Sequence, residues 1–283
     1  MTSPLRITSA ANPMVKALKA LHLKKARAES GLFLAEGARL ASEAADLGVF
    51  PEIMAVSAAA LERPQVKKLA SAAAVAGARV IETSESVLAS IAKRDNPQTV
   101  IGAYKQRYAE LTPGAPASSR PTVAGKMPAV PLIVALEGVR DPGNLGTIVR
   151  TADSVGADMV VLVGQTCDPF SVEAVRATMG SIFAVPIARA DFATFDAWRR
   201  KAKLLLIGAS LNGETRADWP ADRGVALFMG NEQSGLSSEM ERACDRLVRL
   251  PMQGRADSLN LAIATGVMLY DVWRRRGYAG ARE

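Results

Sequence analysis

The sequence has very few of the residues that bind transition metals or support histidine-dependent nucleophiles. It contains one histidine, His22, and two cysteines, Cys167 and Cys244, which lie far apart and show no Cys-x-x-Cys or Cys/His ligand spacing. A structural zinc site needs four Cys or His ligands at close spacing, and a Ser-His-Asp triad or Cys-His pair needs a histidine beside the nucleophile. The composition effectively excludes these three kinds of site, and we expect no metal.

Long apolar segments are missing as well. No basic segment followed by an apolar one opens the chain as in a signal peptide, and no apolar run approaches the roughly 18 residues that a transmembrane helix needs. Together with the low cysteine content, this predicts a cytoplasmic protein without a membrane partner. Aromatic residues make up 5% of the chain, which leaves few platforms on which nucleic-acid bases could stack.

Basic residues are in excess, and the excess lies at the front of the chain. Lys and Arg number 35 against 28 Asp and Glu, which gives a net charge of +7 and an isoelectric point near 9.6. Residues 1–111 hold 15 basic and 10 acidic side chains, a net of +5, and residues 112–283 hold 20 and 18, a net of +2. This distribution favours a polyanionic partner for the front part, although a solvated helical face has the same appearance. Six basic side chains precede the first acid: Arg6, Lys16, Lys19, Lys24, Lys25 and Arg27.

Composition and periodicity predict two α/β domains joined by a linker. Residues 112–131 contain five prolines with Gly, Ala and Ser, and such a composition does not build a core. In front of this linker, short apolar strands alternate with helices over residues 1–111, and the first helix is basic and amphipathic over residues 12–28. Behind it, continuous apolar strands alternate with helices over residues 132–283, which predicts a buried, mostly parallel sheet. The predicted elements there include strands over 182–186 and 225–229 and a helix over 192–201.

The first of three stretches that could carry chemistry runs from Asn144 to Arg150. It follows a predicted strand and opens a helix, for which Asn144 is the expected N-cap. Backbone N–H groups at a helix start favour phosphate, and the planar guanidinium of Arg150 could add a bidentate donor. Taken alone, the stretch is better explained by structure, with Asn144 only as a cap and Arg150 only as an i,i+3 partner of Asp153.

The second stretch, from Gly230 to Gly235, directly follows an apolar strand. The two glycines permit a tight turn or a close backbone approach, and Glu232 stands at the carboxyl end of the strand, where open α/β sheets bind ligands. A loop that caps the next helix is the alternative. A dinucleotide site is disfavoured, because no Gly-x-Gly-x-x-Gly follows the first strand of a βαβ unit.

The third stretch joins Leu250 and Met252 to Ser258 and Asn260 through a polar turn. Ser258 is the expected N-cap of a C-terminal helix over residues 259–276, whose broad apolar surface predicts docking on the sheet. The open question at this point is whether Ser258 and Asn260 also take part in chemistry.

In this order, the three stretches resemble the motifs of the SpoU family of RNA ribose 2′-O-methyltransferases, within the knotted SPOUT superfamily. The front of the chain, from Asn12-Pro13 to Glu36-Gly37-x-Arg39, is similar to the substrate-binding domain that precedes many SpoU catalytic domains. The resemblance implies an α/β catalytic domain over 132–283, with a mostly parallel sheet and a trefoil knot, an exception to the rule that chains avoid knots. It also implies a smaller α/β domain over 1–111 that resembles a ribosomal-protein-like RNA-binding fold.

The resemblance further implies S-adenosylmethionine as cofactor, RNA as substrate, no metal, and a homodimer with sites near the subunit interface. The positions that match the cofactor-binding residues of the family are Gly230, Leu250, Met252 and Leu259. The positions that match its polar active-site residues are Asn144, Arg150, Glu232, Ser258 and Asn260. The basic residues expected to contact RNA are Lys16, Lys24, Lys25, Arg27 and Arg39.

Arg150 has the least certain role, because the motif-one arginine of the family is proposed to activate the 2′-hydroxyl, yet arginine stays protonated at neutral pH. We therefore expect Arg150 to clamp the target phosphate and polarise the hydroxyl, with a deprotonated arginine as the alternative. Asn144, Ser258 and Asn260 would orient the ribose and the site's backbone. Glu232 would organise the loop of the knot or hold Arg150.

The sequence leaves the RNA target open. The substantial front domain favours large-subunit rRNA, with tRNA as the alternative. Two further hypotheses are a non-catalytic RNA-binding dimer on the same fold and a nucleotide-dependent metabolic enzyme on an ordinary doubly wound sheet. The first is disfavoured because Arg150, Glu232 and Asn260 are all present, and the second because the glycine fingerprint is missing.

Overall fold

A computed structural model describes residues 4–111, 130–215 and 219–281. The predicted linker, 112–131, lies outside these residues except for its last two positions. The chain forms two compact units, of which the first comprises Met1–Arg107 with Asp168–Ala184 and the second Tyr108–Cys167 with Val185–Glu283. Within the described residues, no helix combines the length and the apolar character needed to cross a bilayer.

Strands and helices alternate along the described chain as the hydrophobic pattern predicts. The strands are β1 (Leu5–Ile7), β2 (Leu32–Glu36), β3 (Ile53–Ser57), β4 (Arg79–Thr83), β5 (Val100–Lys105), β6 (Leu132–Glu137), β7 (Met159–Val163), β8 (Ile187–Ala190), β9 (Leu205–Glu214), β10 (Val225–Met229) and β11 (Arg246–Val248). The helices are α1 (Pro13–Ala20), α2 (Lys24–Ser30), α3 (Ala38–Asp46), α4 (Ala58–Leu61), α5 (Pro64–Val75), α6 (Glu85–Ala92), α7 (Pro142–Ser154), α8 (Val172–Thr178), α9 (Phe192–Lys201), α10 (Ser238–Ala243) and α11 (Leu261–Arg275).

The first unit is built on a five-stranded sheet with the strand order β1-β4-β3-β5-β2. Strand β5 is antiparallel to both of its neighbours, and the other pairs are parallel. Alternate residues of β3 enter two different cores, with Ile53 and Ala55 beside α1 and α6 and with Met54 and Val56 beside α3 and α5. Because strand side chains alternate between faces, helices cover the sheet on both sides.

Two charged pairs hold the segment Asp168–Ala184 within the first unit. The buried guanidinium of Arg27 donates to the Asp168 carboxylate at 3.0 and 2.7 Å, and it also donates to the Leu21 and His22 carbonyls. Arg176 of α8 donates to Glu36 at 2.6 Å, and the Glu36 side chain is 3% exposed. Since buried charges are tolerated only when they are paired and hydrogen-bonded, these contacts fix the segment to α2 and β2 of the first unit.

Replacing Asp168 by Ala is expected to lower the free energy of unfolding by about 3–5 kcal/mol, because the buried Arg27 charge would lose its partner. Urea unfolding followed by circular dichroism measures the change. Glu29→Ala is the matched control, since it breaks only the exposed Lys25–Glu29 pair and is expected to cost less than about 1 kcal/mol. Equal losses in the two variants would contradict the structural role of Asp168.

The second unit is built on a six-stranded sheet with the order β11-β9-β10-β6-β7-β8, and all of its strand pairs are parallel. The whole of β10 is buried, as are all residues of β7, which explains why these strands are continuous apolar runs. Helix α9 packs Phe195 and Trp198 against one face of the sheet. Helix α11 packs against α7, where Gly266 lies beside Thr151.

The structure corrects two predicted elements. The helix expected over residues 12–28 is two helices, since α1 ends at Ala20 and α2 begins at Lys24. Residues 21–23 form a turn between the two helices. Leu21 is 3% exposed and enters the core, whereas Leu23 is 62% exposed. The strand expected over 182–186 is wrong as well, because Ser181–Phe183 is a 3-10 turn and β8 begins only after Pro186, which has no N–H for strand pairing.

Candidate active site

Helix α7 starts at the carboxyl end of β6 with Asp141, and not Asn144, as its N-cap. The Asp141 carboxylate accepts a hydrogen bond from the Asn144 backbone N–H at 2.6 Å, and Pro142 occupies the first helical turn. An acidic cap followed by proline is a strong helix-start pattern, so the sequence did contain the signal for this boundary. The expected capping role of Asn144 is therefore wrong, and its side chain is available for other contacts.

Asn144 links the second and third stretches through its amide group. Its Nδ2 donates to Glu232 Oε1 at 3.3 Å, and its Oδ1 accepts from Asn260 Nδ2 at 2.9 Å. The three side chains form a chain of hydrogen bonds, which we call the polar network. Residues 88 and 116 positions away in sequence thus meet at the start of α7.

Glu232 is held by more than one element. Its carboxylate accepts from the backbone N–H groups of Arg140 and Asp141 at 3.4 Å each, and from Asn231 Nδ2 at 3.4 Å. Asn231 in turn donates to the Gly138 carbonyl at 2.7 Å. Backbone N–H groups and side-chain amides therefore surround the Glu232 carboxylate. These hydrogen bonds connect the loop after β10 to the loop after β6.

Asn260 caps the C-terminal helix, which corrects the expected capping by Ser258. The Asn260 Oδ1 accepts from the backbone N–H groups of Ala262 and Ile263 at 2.9 and 3.3 Å, and α11 begins at Leu261. One amide thus caps α11 with its oxygen and donates to Asn144 with its nitrogen. The position of Asn144 depends on the start of α11 for this reason.

A cavity of about 420 Å³ lies at the carboxyl ends of β9 and β10, beside the polar network. The four positions expected to bind a cofactor, Gly230, Leu250, Met252 and Leu259, all line it. Glu232 and Ser258 also line it, whereas Asn144, Arg150 and Asn260 do not. Its apolar wall comes from Met229, Leu236, Val248, Leu261 and Met268.

The wall of the cavity requires a glycine at position 230. A Cβ atom on Gly230 would overlap the backbone of Gly235 and Leu236, because the loop folds back on itself. Asn231 and Gly235 exchange two backbone hydrogen bonds of 3.1 and 2.9 Å, which close this loop. The sequence predicted that a glycine here permits a close backbone approach. The structure shows that the approaching backbone belongs to the same loop, at Gly235 and Leu236.

Arg150 lies on α7, six residues beyond Asn144, with an exposed side chain. Within the described part of the chain, its guanidinium makes no hydrogen bond or ion pair, so the expected i,i+3 pairing with Asp153 does not form. Arg150 is thus a free, exposed cation near the site.

Glu137 is a carboxylate beside the cavity that the sequence did not single out. It ends β6, and its carboxylate accepts from the Ser237 backbone N–H at 3.4 Å, where Ser237 caps α10. Burial raises the pKa of Glu137 above the ordinary value, and the hydrogen bond from Ser237 acts in the opposite direction. Glu137 thereby ties the loop that follows β10 to the central strand of the sheet.

Four of the five residues expected to contact RNA are exposed in the first unit. Lys16 lies on α1, Lys24 and Lys25 lie on α2, and Arg39 on α3 pairs with Glu43 at 2.9 Å. Arg27 is the exception, since it is 4% exposed and bound to Asp168. Its expected role as an RNA contact is therefore wrong, and it stabilises the first unit. Among the described residues, no group of three or more His, Cys, Asp or Glu side chains could hold a metal.

Two family models match separate parts of the chain. Residues 131–270 match the SpoU rRNA Methylase family, and residues 12–102 match the MRM3-like substrate binding domain. Among characterised relatives, the chain is 29% identical to the 23S rRNA (guanosine(2553)-2′-O)-methyltransferase RlmP of Bacillus subtilis, over 94% of this chain and 98% of the relative. It is 32% identical to the 23S rRNA (guanosine-2′-O-)-methyltransferase RlmB of a Burkholderia species, over 72% of this chain and 81% of the relative.

A solved structure supports the same grouping. The chain superimposes on the AdoMet-bound rRNA methyltransferase of Sinorhizobium meliloti with a TM-score of 0.85 and 45% identity, over 95% of this chain and 97% of that chain. The match extends over both units of the chain. The matched structure contains AdoMet, the cofactor predicted from the motifs. Motifs, fold and relatives agree, and the chain belongs to the SpoU family of RNA methyltransferases, which use S-adenosylmethionine.

Proposed function

We propose that the protein transfers a methyl group from S-adenosylmethionine to a ribose 2′-hydroxyl of large-subunit rRNA. The observation that carries this proposal is the position of Glu232, which lines the cavity and also accepts from Asn144 of the polar network. A binding cavity and a set of orienting amides thus meet at one edge of a parallel sheet, where open α/β folds bind ligands. The named relatives RlmP and RlmB, both 23S rRNA 2′-O-methyltransferases, favour rRNA over tRNA.

The residues around the cavity fit the cofactor. The volume of about 420 Å³ lies within the range of roughly 300–1,000 Å³ that is usual for small-ligand sites. Met229, Leu236 and Val248 supply an apolar wall suited to adenine, while Ser258 and the loop backbone at Gly230 supply polar groups. When bound, S-adenosylmethionine supplies an electrophilic methyl group on a positively charged sulfur.

The polar network would orient the acceptor ribose. Transfer requires the hydroxyl oxygen in line with the methyl carbon, and a rigid site supplies this alignment before reaction. Asn144 is held from two sides, by Glu232 and by Asn260, so its amide has one fixed orientation. We assign Asn144 and Ser258 to the ribose, and Glu232 and Asn260 to the positioning of Asn144 and the cavity loop.

Arg150 would bind the RNA. Its exposed guanidinium can make two parallel hydrogen bonds to a phosphate, and it would polarise the 2′-hydroxyl without removing the proton itself. The hydroxyl proton would pass to solvent water as the new C–O bond forms and the C–S bond of the methyl donor breaks. Its absence from the cavity wall supports a role toward RNA and not toward the cofactor.

A direct assay tests the proposal. Purified protein, S-adenosylmethionine labelled in its methyl group and total RNA from cells without this gene are incubated, and 23S rRNA, 16S rRNA and tRNA are then separated. We expect label in 23S rRNA as a single 2′-O-methyl nucleotide. Label confined to tRNA would reject the substrate, and no label from folded protein that binds the cofactor would reject the activity in favour of a non-catalytic RNA-binding dimer.

Basic side chains of the first unit would supply phosphate contacts. Replacing Lys16, Lys24 and Lys25 together by Ala is expected to weaken RNA binding and to flatten the plot of log affinity against log salt by roughly 2–3, about one per lost contact. Fluorescence anisotropy over a salt series measures this slope. Replacing Arg63, Lys67 and Lys68 removes the same charge from exposed positions around α5, and an equal loss there would show a general charge effect.

Two further features of the family are part of the proposal. A trefoil knot in the C-terminal segment is supported by the cavity, since its wall combines residues 209–212 and 229–236 with parts of the segment from Val248 to Leu261. A homodimer is supported by an exposed apolar stripe on α11, formed by Ile263, Val267 and Tyr270. Their spacing of four and three residues places them on one helix face. Leu259, which lines the cavity, is exposed just before the start of this helix. With rRNA as the substrate, we further propose that the protein acts in the cytoplasm.

Replacing Val267, which is 47% exposed, by Arg is expected to weaken the dimer by at least roughly 100-fold, because an unpaired cation at an apolar contact costs several kcal/mol. Sedimentation velocity over a concentration series measures the dissociation. Val75→Arg, at the exposed end of α5 in the first unit, is the control for added charge. An unchanged dimer in the Val267 variant would place the interface elsewhere.

A further inference from the structure

A second carboxylate in the cavity wall has no role in the mechanism above. Glu241 of α10 accepts a hydrogen bond from the hydroxyl of Ser210 on β9, and both residues line the cavity with half-buried side chains. The contact joins a helix to the neighbouring strand, so the carboxylate is held in place before any ligand arrives.

Glu241 differs from the other charged groups around the cavity. The Glu232 carboxylate already accepts hydrogen bonds from four donors, and Asp257 is exposed on the loop before α11. Oε2 of Glu241 accepts no hydrogen bond from any residue in the described ranges. Four charged side chains line the cavity: Glu232, Glu241, Arg249 and Asp257. Glu241 is therefore the half-buried carboxylate with an open oxygen.

The carboxylate stands next to the apolar part of the wall. Ser210 follows Gly208 by two residues on β9, so the two share one face of the strand. The Leu236 side chain packs over Gly208 on that face and is itself part of the cavity wall. The wall thus offers an apolar surface at Leu236 that suits a flat base and, two residues further along β9, the polar pair of Ser210 and Glu241 that suits a sugar.

The chemistry of the ligand decides which of its groups suits this carboxylate. A ribose diol offers two neighbouring hydroxyl donors, and nucleotide-binding folds often hold such hydroxyls with an Asp or Glu carboxylate. A carboxylate beside the sulfonium would instead stabilise a charge that disappears during transfer, which would raise the barrier. The polar network around Glu232 marks the reacting side, and Glu241 belongs to a different segment of the wall.

We propose that Glu241, held by Ser210, binds the ribose diol of the cofactor and so sets the position of its nucleoside half. This inference rests on the proposed function, since it presumes that the cavity holds an adenosyl ligand.

Calorimetry with two ligands tests it. S-adenosylhomocysteine and 5′-methylthioadenosine both carry the ribose, but only the first carries the amino-acid tail. We expect Glu241→Gln to weaken both by the same factor, roughly 10- to 100-fold, as is typical for the loss of a charged hydrogen bond. Ser210→Ala keeps the charge but loses its anchor, so we expect a smaller loss, again equal for both ligands. Glu239→Gln, on the exposed side of the same helix, is the matched control and should bind both as wild type does.

The outcomes separate the two proposals. Loss of affinity for S-adenosylhomocysteine but not for methylthioadenosine would overturn the inference, because the carboxylate would then hold the amino-acid tail. Wild-type affinity in the Glu241 variant would also overturn it. If that variant does not fold, which thermal unfolding without ligand detects, the Ser210 variant decides with the same ligands. Failure of the wild-type protein to bind S-adenosylhomocysteine would contradict the proposed function itself.

Discussion

Arg150→Lys is expected to lower turnover by roughly 10²–10³-fold, the loss typical when one preorganised donor to the reacting centre is removed. Lysine keeps the positive charge but not the planar fork, so it cannot make the paired hydrogen bonds to a phosphate and the hydroxyl that we assign to Arg150. The affinity for S-adenosylmethionine should stay at the wild-type value, because Arg150 does not line the cavity. Single-turnover methylation and calorimetry measure the two quantities separately.

The same variant distinguishes a clamp from a base. A lysine releases its proton far more readily than an arginine, with an unperturbed pKa of about 10.4. If position 150 acted as the base, activity of the variant would recover as the pH rises toward that value, whereas a clamp predicts no recovery. Arg242→Lys, an exposed arginine on α10, should keep wild-type turnover. Equal loss of cofactor affinity in the Arg150 variant would show that its role is misassigned.

The parallel sheet of the second unit was largely predictable because most of its strands are apolar runs, with β8 as the exception. Val225–Met229 is a continuous apolar run bounded by glycines. A short run of this kind is typical of a central strand that is buried on both faces. The predicted bounds of this strand and of α9, Phe192–Lys201, are both confirmed. The local hydrophobic pattern was sufficient for β10, because both faces of a central strand are buried and all of its residues are therefore apolar.

The exchange of Asp168–Ala184 into the first unit was not predictable in the same way. Arg27 and Asp168 are separated by 141 positions, and nothing local distinguishes this arginine from the exposed lysines around it. An arginine suits this buried position because its guanidinium can donate at once to a carboxylate and to two carbonyls. These hydrogen bonds offset the cost of burying the charge. The run of basic residues predicted an exposed surface, but one of its members, Arg27, is buried.

In the candidate active site, too, features set by local sequence were predicted and features set by distant contacts were not. The four positions predicted to bind the cofactor all line the cavity, since each lies at a loop next to a strand or helix that the sequence indicated. The N-caps were displaced, from Asn144 to Asp141 and from Ser258 to Asn260, because several polar residues at each helix start can cap and the tertiary contacts select among them. The contact from Asn260 to Asn144 is such a tertiary contact, and no spacing rule contains it.

The close approach at Gly230 leads to the second large expected effect. Gly230→Ala should abolish measurable binding of S-adenosylhomocysteine, because the new methyl group would overlap the backbone of Gly235 and Leu236 and push the loop apart. The loop carries Glu232 and Leu236, so its displacement moves the cavity wall and breaks the hydrogen bond to Asn144. The sheet below it is already complete at Met229, and the protein should remain folded.

Gly254→Ala is the matched control for this prediction, since Gly254 lies in the loop between β11 and α11 and a Cβ there meets no atom within 4 Å. Calorimetry with S-adenosylhomocysteine measures the affinity of both variants, and far-ultraviolet circular dichroism checks that both are folded. We expect the Gly254 variant to bind as wild type does and the Gly230 variant to show no heat of binding. Near-wild-type affinity in a folded Gly230 variant would mean that the loop can open without loss of the cavity. The cofactor site would then depend on residues 248–261 and not on the turn that Gly230 begins.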